Sequence, residues 1–382
     1  MKLDRNYFYT LNNKKYLIII LLISFLIHLV TINFQPVNDE FIFFKGADFI
    51  FTLEKKIVNI FFEYNANTLG FSYIIAFFKL ILPFLETSQI SKLLSFLSLF
   101  FFASSLTKIY IIFRPKISFK FFILFVLLNP LIWNYSFRGV PDAFSASLCL
   151  FAVSNFLYYR NLKLKYLYIL IFSLGVMIKP FNGILLLIII YSHFFFKKEN
   201  QIYFLLLFFN CIVILYFIFN YYFFGFFITP PSFSDVFEPS TKVYLVTFIS
   251  YLGFIFFLSY PFFLKTIFLY FSKSYIKNIL FYLFVILLSI YISQKFDLNL
   301  TEMNFGFISN FIDYRIFKVV ILFNSLLLIF LTWLILRGKD KAKLLILIVS
   351  TLVFVIIMSF THSAQRYLMI LVPLIYVFFI RH

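Results

Sequence analysis

Residues 14–40 read KKYLIIILLISFLIHLVTINFQPVNDE, and this stretch decides the class of fold. Two lysines precede a mainly apolar run from Tyr16 to Phe34, and two adjacent carboxylates, Asp39 and Glu40, follow it. A helix needs about 20 residues to cross the hydrocarbon core of a bilayer, so this run is long enough to do so. It is too long for the core of a signal peptide, and no small-residue cleavage site follows it. The stretch therefore predicts an uncleaved membrane helix that ends at an acidic pair.

The composition of the whole chain agrees with that first helix. Of 382 residues, 63% are hydrophobic and 13% are charged, and the mean hydropathy is +1.00. Soluble domains carry roughly 25% charged residues, so the composition predicts an all-α, polytopic membrane protein. The net charge of +18 comes from short basic clusters between apolar runs. Such clusters are typical of membrane topology, so we predict membrane lipids rather than nucleic acid as the surroundings of the chain.

Cysteine and histidine positions predict no metal site. Cys149 and Cys211 both lie inside apolar runs, which is unlike disulfide partners or metal ligands. The four histidines lack the spacing of metal ligands; they are His28, His193, His362 and His382. No cofactor is predicted with certainty, although the carboxylates leave a divalent metal ion possible.

Twelve apolar segments are predicted to cross the membrane: 16–34, 91–113, 119–137, 143–159, 166–180, 182–196, 202–228, 243–264, 279–294, 316–336, 344–360 and 367–380. A further apolar stretch, 69–85, is predicted not to cross. If it crossed, every later basic cluster would lie outside, against the positive-inside rule. The resulting topology places both termini in the cytoplasm and predicts a multi-pass protein of the bacterial inner (plasma) membrane.

The predicted topology leaves one long external segment, 35–90, which we expect to contain two juxtamembrane helices. We find no internal repeat and no soluble domain in the sequence. The sequence therefore predicts a single membrane domain over residues 1–382.

A second group of charges follows at the outer end of a predicted helix, in Arg138-Gly-Val-Pro-Asp142. Charges near a lipid phase are costly, so they are functional candidates. Asp142 also follows a proline at the start of a helix, where helix capping alone would explain it. Lys179 interrupts an apolar run at a cost of roughly 2.5–3.5 kcal/mol at the bilayer centre. Its ordinary explanation is snorkelling to the interface; phosphate contact is the functional one.

These motifs resemble the GT-C superfamily of membrane glycosyltransferases, which includes the dolichyl-phosphate-mannose–protein mannosyltransferases. The matching features are the acidic pair Asp39–Glu40, the long first loop 35–90, the turn Arg138-Gly-Val-Pro-Asp-Ala143, and Val176-Met-Ile-Lys-Pro-Phe181 at a helix end. A weaker match is Thr361-His-Ser-Ala-Gln-Arg-Tyr-Leu368. The usual Arg-Pro-Asp of the family is split here by Gly139 and Val140, which leaves the branch and the sugar undecided.

The resemblance implies transfer of a sugar from a polyprenyl-phosphate donor to a lipid, glycan or protein acceptor on the extracytoplasmic face. In such a reaction Asp39 is the candidate general base, Glu40 orients Asp39 or the acceptor, and Asp142 is a second acidic contact. Cations would stabilise the departing phosphate. The candidate substrate-binding residues are Arg138, Lys179, His362, Arg366 and Tyr367. We expect these groups to converge on one external cavity, with Lys179 buried beside it.

Two other functions remain open at this point. A polysaccharide polymerase or ligase would also need external cations and acids, but not a carboxylate pair directly after the first helix. A lipid-linked glycan transporter or flippase would favour paired halves and broken helices. The chain shows no such repeat and carries its charges at the membrane boundary.

Overall fold

The computed structural model describes residues 11–35, 40–52, 69–113, 118–159, 161–190, 202–225, 227, 248–249, 252–253, 275–295, 313–336, 352–353 and 369–371. The principal elements in these ranges are helices: α1 Leu11–Thr31, α2 Glu40–Thr52, α3 Gly70–Ile81, α4 Thr87–Phe113, α5 Phe119–Leu127, α6 Pro130–Ser136, α7 Pro141–Tyr158, α8 Leu162–Ile178, a 3-10 helix Pro180–Leu185, α9 Ile202–Phe224, α10 Tyr275–Lys295 and α11 Tyr314–Leu336. The chain divides into two compact units, Met1–Phe233 and Ser234–His382. The all-α class is confirmed for these residues, and the single domain stays a prediction.

Two of the described helices are long and apolar enough to cross a membrane, Thr87–Ile112 within α4 and Leu205–Phe223 within α9. Their surroundings differ: half of the most apolar 18-residue stretch of α4 is buried in the protein, whereas only 17% of the corresponding stretch of α9 is buried. Leucine and isoleucine side chains of α9, such as Leu207 and Leu215, are exposed. A continuous apolar surface is unfavourable in water and favourable in lipid. The number of crossings beyond these two helices stays a prediction.

Helix α7 lies at the centre of the first unit. Nearly every residue from Pro141 to Phe156 is buried, which is typical of a helix surrounded by other helices. Small side chains allow its neighbours to approach closely. At Gly175 of α8, an added Cβ would lie 2.4 Å from the sulfur of Cys149. Glycine at this position therefore permits the close packing of α7 and α8.

Serine side chains fasten α4 to the segment that leads into α7. The Ser95 hydroxyl donates to the Val140 carbonyl at 2.9 Å, and the Ser98 and Ser136 hydroxyls share a hydrogen bond of 2.9 Å. All three serines are buried. These bonds fix the turn that carries Arg138 against the N-terminal half of α4.

The predicted span 119–137 is not one continuous helix, and whether it crosses the membrane stays a prediction. The structure divides it into α5, Phe119–Leu127, and α6, Pro130–Ser136. The Asn129 side chain accepts a hydrogen bond from the Leu131 amide at 3.0 Å and caps α6, while Pro130 occupies the first helical position. This pairing of residue types starts a helix, because the cap satisfies an amide and proline has none to satisfy. Hydropathy averaged over a window does not detect such a break.

The short helix α3 agrees with the prediction that 69–85 does not cross. It has 12 residues and is roughly 18 Å long, well short of a hydrocarbon core of about 30 Å. Its first residue packs tightly against α8, since a Cβ on Gly70 would lie 2.3 Å from the Met177 carbonyl oxygen. At its other end, Lys79 donates to the carbonyls of Pro83 and Leu85 and so orders the turn into α4. With α2, it supplies the two helices expected in the first external loop.

Other predicted spans are only partly described. The span 182–196 begins as the 3-10 helix Pro180–Leu185 and is described to residue 190. Most of 243–264, 344–360 and 367–380 lies outside the described residues.

In the second unit, α10 and α11 contact each other through Tyr282 and Phe323, whose ring centroids are 6.3 Å apart. The Ser325 hydroxyl donates to the Ile249 carbonyl at 2.6 Å. A Cβ on Gly253 would lie 2.3 Å from the Ile321 carbonyl oxygen, so glycine permits close packing here too.

Candidate functional site

The candidate site lies where the C-terminal end of α1 meets the N-terminal end of α4. The His28 ring stacks on Phe96 with centroids 4.5 Å apart, and the Gln89 amide donates to the Asn33 side chain at 3.0 Å. A later residue of the α1 segment thus contacts an earlier residue of α4, so the two helices are antiparallel. The C-terminal end of α1 and the N-terminal end of α4 lie together. The sequence predicts that both of these ends are external.

The first ion pair of the site joins Glu40 and Arg138. The Arg138 Nε donates to a Glu40 carboxylate oxygen at 3.0 Å. Glu40 is the first residue of α2, where a carboxylate also interacts favourably with the helix dipole. Its side chain is only 5% exposed, whereas that of Arg138 is 26% exposed. The guanidinium also lies 5.6 Å from the ring centroid of Tyr135, which is buried beneath it.

The second ion pair joins Asp142 and Lys179. The Lys179 ammonium lies 2.9 Å from an Asp142 carboxylate oxygen, and the two side chains are 9% and 3% exposed. Lys179 follows the last residue of α8 and precedes Pro180, whose missing amide and ring end the α-helix there. The expected burial of Lys179 is confirmed, and its partner is a carboxylate within the protein. Snorkelling does not explain a lysine that is buried in this way.

The interpretation of Asp142 as a helix cap needs correction. Val140 is the N-cap of α7, Pro141 is the first helical residue, and Asp142 is the second. Its carboxylate is directed to Lys179 instead of standing at the cap position. The sequence pattern of proline followed by aspartate indicated the start of the helix correctly but misplaced the cap by two residues.

A second layer of polar contacts repeats the Asp142–Lys179 pairing one helical turn further on. The Asn182 side-chain amide donates to the Ser145 hydroxyl at 2.6 Å, and that hydroxyl donates to the Gly175 carbonyl at 2.7 Å. Ser145 follows Asp142 by three residues, and Asn182 follows Lys179 by three. Sequence reasoning missed Ser145 and Asn182, although their equal spacing from the two charged residues was visible.

The two ion pairs belong to one site. Arg138 and Asp142 are four residues apart, so their Cα atoms are separated by at most roughly 14 Å. The buried ring of Phe71 lies between the two sides, 5.8 Å from Phe43 of α2 and 6.1 Å from Phe144 of α7, measured between centroids. This aromatic contact packs the helix that begins with Glu40 against the helix that begins beside Asp142.

A further buried cation, Lys92 of α4, was also missed from the sequence. Its side chain is 3% exposed, and its ammonium donates to the carbonyls of Thr31 at 3.3 Å, of Ile32 at 3.4 Å and of Phe34. The negative charge of Glu40 also acts on this ammonium. A lysine in the second turn of an otherwise apolar helix was the available signal. We define the charged site as Glu40, Lys92, Arg138, Asp142 and Lys179.

A separate polar cluster surrounds Asp48 on α2. Its side chain is exposed, yet partial loss of hydration raises the pKa of the Asp48 carboxyl. A hydrogen bond with Thr87 and the charge of Lys79 act in the opposite direction, and Glu86 adds to the rise. These contacts explain Asp48 as a residue that packs α2 against the start of α4.

Four predicted site residues lie outside the described residues: Asp39, His362, Arg366 and Tyr367. The other four, Glu40, Arg138, Asp142 and Lys179, come together as two ion pairs. Within the described part of the chain, no group of three or more His, Cys, Asp and Glu side chains could hold a metal ion.

The charged site has a composition that can bind an anion. Its three cations outnumber its two carboxylates, and the most exposed of the ion-paired side chains is the cation Arg138. A guanidinium at a surface suits a phosphate group, because its planar N–H donors match the phosphate oxygens. No family model, curated protein or solved structure matches this chain.

Proposed function

We propose that this chain is a multi-pass membrane glycosyltransferase of the GT-C type, with twelve crossings and cytoplasmic termini, in a bacterial plasma membrane. It moves a sugar from a polyprenyl-phosphate donor to a lipid, glycan or protein acceptor on the extracytoplasmic face. The observation that carries the proposal is the pair of ion pairs at neighbouring helix ends, with one cation exposed.

The position of the charges suits a lipid-linked donor. The prenyl tail of such a donor stays in the bilayer, while its phosphate must meet cations at the interface. Arg138 is the partly exposed cation of the charged site and lies at the end of the α6 segment, beside the start of α7. It is therefore our first candidate for phosphate contact, and Lys179 supplies positive charge behind it.

The pairing of the carboxylates supports Asp39 as the general base. A carboxylate that is paired with a cation of the protein is already engaged in that contact. Glu40 is paired with Arg138 and Asp142 with Lys179. Of the three acids singled out from the sequence, Asp39 is the one to which we assign proton removal, and Glu40 and Asp142 hold cations.

The proposed step balances as follows. The Asp39 carboxylate takes the proton of the acceptor hydroxyl, and the acceptor oxygen forms a bond to the anomeric carbon of the sugar. The bond from that carbon to the phosphate oxygen breaks, and its electron pair leaves with the polyprenyl phosphate. Positive charge near the phosphate stabilises the negative charge that develops there. Arg366, His362 and Tyr367 are proposed to contact the donor or acceptor in the same step.

The test is transfer by membranes that contain the full chain, using a panel of radiolabelled polyprenyl-phosphate sugars. We expect one donor to be consumed by the wild type. Asp39→Asn keeps the size of the side chain but removes the base, so transfer should fall by about 10²–10⁴. Asp48→Asn, a matched change of an exposed acid on α2, should retain wild-type transfer. Unchanged turnover in Asp39→Asn would remove the assignment of the base, and no consumption of any donor would remove the proposed function.

The topology is tested separately with reporter fusions. Reporters after Ser118, Lys163, Lys198 or Lys341 should lie in the cytoplasm, and one after Ser232 should lie outside, because the basic clusters stay inside. A cytoplasmic signal at Ser232 together with an external signal at Lys163 would contradict the twelve-crossing topology.

A further inference from the structure

We propose that Lys92 is a positioning residue, which joins the end of α1 to the turn that carries Arg138 and so positions the Glu40–Arg138 pair in the charged site. The inference deepens the proposed function, on which it rests for the reaction that is affected. Three sets of contacts carry it, one at the end of α1, one at the start of α2 and one at the turn before α7.

The first set of contacts shows that the Lys92 ammonium is occupied within the protein. The carbonyls at the end of a helix lack partners in the helix, and an ammonium has three N–H donors. Lys92 donates to the carbonyl of Thr31, the last residue of α1, and to the carbonyls of Ile32 and Phe34 just beyond it. A buried charge that is matched in this way is stabilised where it is. We therefore assign Lys92 a positioning role and leave contact with the substrate to Arg138.

The second set of contacts concerns the two ends of the connection between α1 and α2. Phe34 lies just beyond α1, and Glu40 is the first residue of α2. Lys92 binds the Phe34 carbonyl, and it is attracted by the charge of Glu40. The Lys92 side chain thus bonds to the residue just beyond α1 and is acted on by the charge of the first residue of α2. It therefore helps to position the start of α2 relative to the end of α1.

The third set of contacts is made by the turn before α7. An added Cβ on Gly139 would lie 2.4 Å from the Ser91 hydroxyl oxygen and 3.6 Å from Cγ of Lys92. The backbone beside Arg138 therefore packs directly on Ser91 and Lys92. Lys92 therefore joins the end of α1 to the turn that carries Arg138, the partner of Glu40.

Loss of the ammonium should disturb both segments. Lys92→Met keeps most of the side-chain volume but removes the ammonium donor from the Thr31, Ile32 and Phe34 carbonyls and takes one cation out of the charged site. Lys92→Arg keeps the charge, but a planar guanidinium fits three converging carbonyls less well than an ammonium. The Arg variant should therefore show an intermediate effect.

The first measurement is hydrogen–deuterium exchange on the full chain in lipid nanodiscs. We expect Lys92→Met to speed exchange about tenfold for the amides of Ile32 and Phe34 and for residues 44–47, whose amides bond to the first-turn carbonyls of α2. Exchange in α7 should stay unchanged, which shows that the variant is folded. The matched control is Lys108→Met, because Lys108 lies on the same helix but bonds to Ser104 of its own helix.

The second measurement is transfer with the donor that the wild type consumes. Lys92→Met should lower kcat at least tenfold and change the KM for the donor little, since Lys92 does not contact the donor. In a Glu40→Gln background the same change should lower kcat little further, because coupled residues are not additive. Lys92→Arg should recover part of kcat.

Each outcome decides the proposal. Wild-type exchange in residues 44–47 of Lys92→Met, or a full additional loss of kcat in the Glu40→Gln background, would overturn it. If the Met variant is not recovered from membranes, Lys92→Arg must show faster exchange in the same two segments, or the proposal fails. If the wild type consumes no donor, the proposed function fails, but the exchange measurements still decide whether Lys92 positions α2.

Discussion

The two ion pairs of the charged site have nearly equal lengths but different surroundings. The charged atoms of Asp142 and Lys179 are 2.9 Å apart, and those of Glu40 and Arg138 are 3.0 Å apart. Both partners of the Asp142–Lys179 pair are buried, whereas Arg138 in the Glu40–Arg138 pair is 26% exposed. The Asp142–Lys179 pair can therefore hold α7 against the end of α8, while the Glu40–Arg138 pair keeps a cation partly exposed.

The difference follows from the backbone around each cation. Lys179 lies between two helical segments, α8 and the 3-10 helix that starts at Pro180, and both pack on α7. Arg138 lies in the turn between α6 and α7, and its partly exposed guanidinium lies over the ring of Tyr135. Lys179 and Asp142 are enclosed by helices, so each needs the other to compensate its charge. Arg138 lies at a turn, so its charge remains partly accessible to solvent.

The largest effect is expected from breaking the buried pair. Lys179→Met leaves the Asp142 carboxylate buried without its cation, which should cost about 3–5 kcal/mol of stability. The double variant Asp142→Asn, Lys179→Met removes both charges and should recover most of that loss. Thermal unfolding in detergent, followed by tryptophan fluorescence, measures both. If the double variant is as unstable as Lys179→Met, the main role of Lys179 is not to compensate the charge of Asp142.

A smaller effect is expected at the turn that carries Arg138. Gly139→Ala places a Cβ 2.4 Å from the Ser91 hydroxyl oxygen, and such overpacking costs about 1–3 kcal/mol. Ser91→Ala removes the oxygen that clashes, so the double variant should be more stable than Gly139→Ala alone. The same unfolding assay decides the matter. No recovery in the double variant would mean that the turn does not pack on α4 as described.

The smallest effect on stability is expected from the exposed pair. Arg138→Gln should cost about 1 kcal/mol, because the glutamine amide can still donate to the Glu40 carboxylate and the charge that is lost is a partly hydrated one. Transfer should nevertheless fall strongly if the guanidinium contacts the donor phosphate, and Arg138→Lys should recover only part of it. A stability loss as large as that of Lys179→Met would erase the distinction between the two pairs.

Local features of the sequence predicted most of the helices. The apolar runs led to α1, α4, α7, α9 and α11, and the charge argument led to the short helix α3 outside the set of crossing helices. The break between α5 and α6 was missed because Asn129 and Pro130 act on individual amides, which a hydropathy average does not resolve. Caps and helix starts depend on single hydrogen bonds, whereas spans depend on sums over many residues.

The residues of the charged site and the polar residues around it were harder to predict than the helices. Glu40, Arg138, Asp142 and Lys179 were selected singly, as charges placed at a cost near lipid, and the structure shows which charge pairs with which. Lys92, Ser145 and Asn182 were not selected at all, because each acts on a backbone group or side chain of another helix.

By itself, the sequence of this protein determined the helical class, the membrane-length apolar helices and the set of charges that lie near their ends. Those properties depend on composition and on periodicity over one or two helical turns. Only the tertiary structure decided that Glu40 meets Arg138 across 98 residues of chain and that Lys179 is buried against Asp142. Such pairing depends on how helices distant in the chain pack, and the free energy of that packing is a sum over contacts that no local stretch of sequence contains.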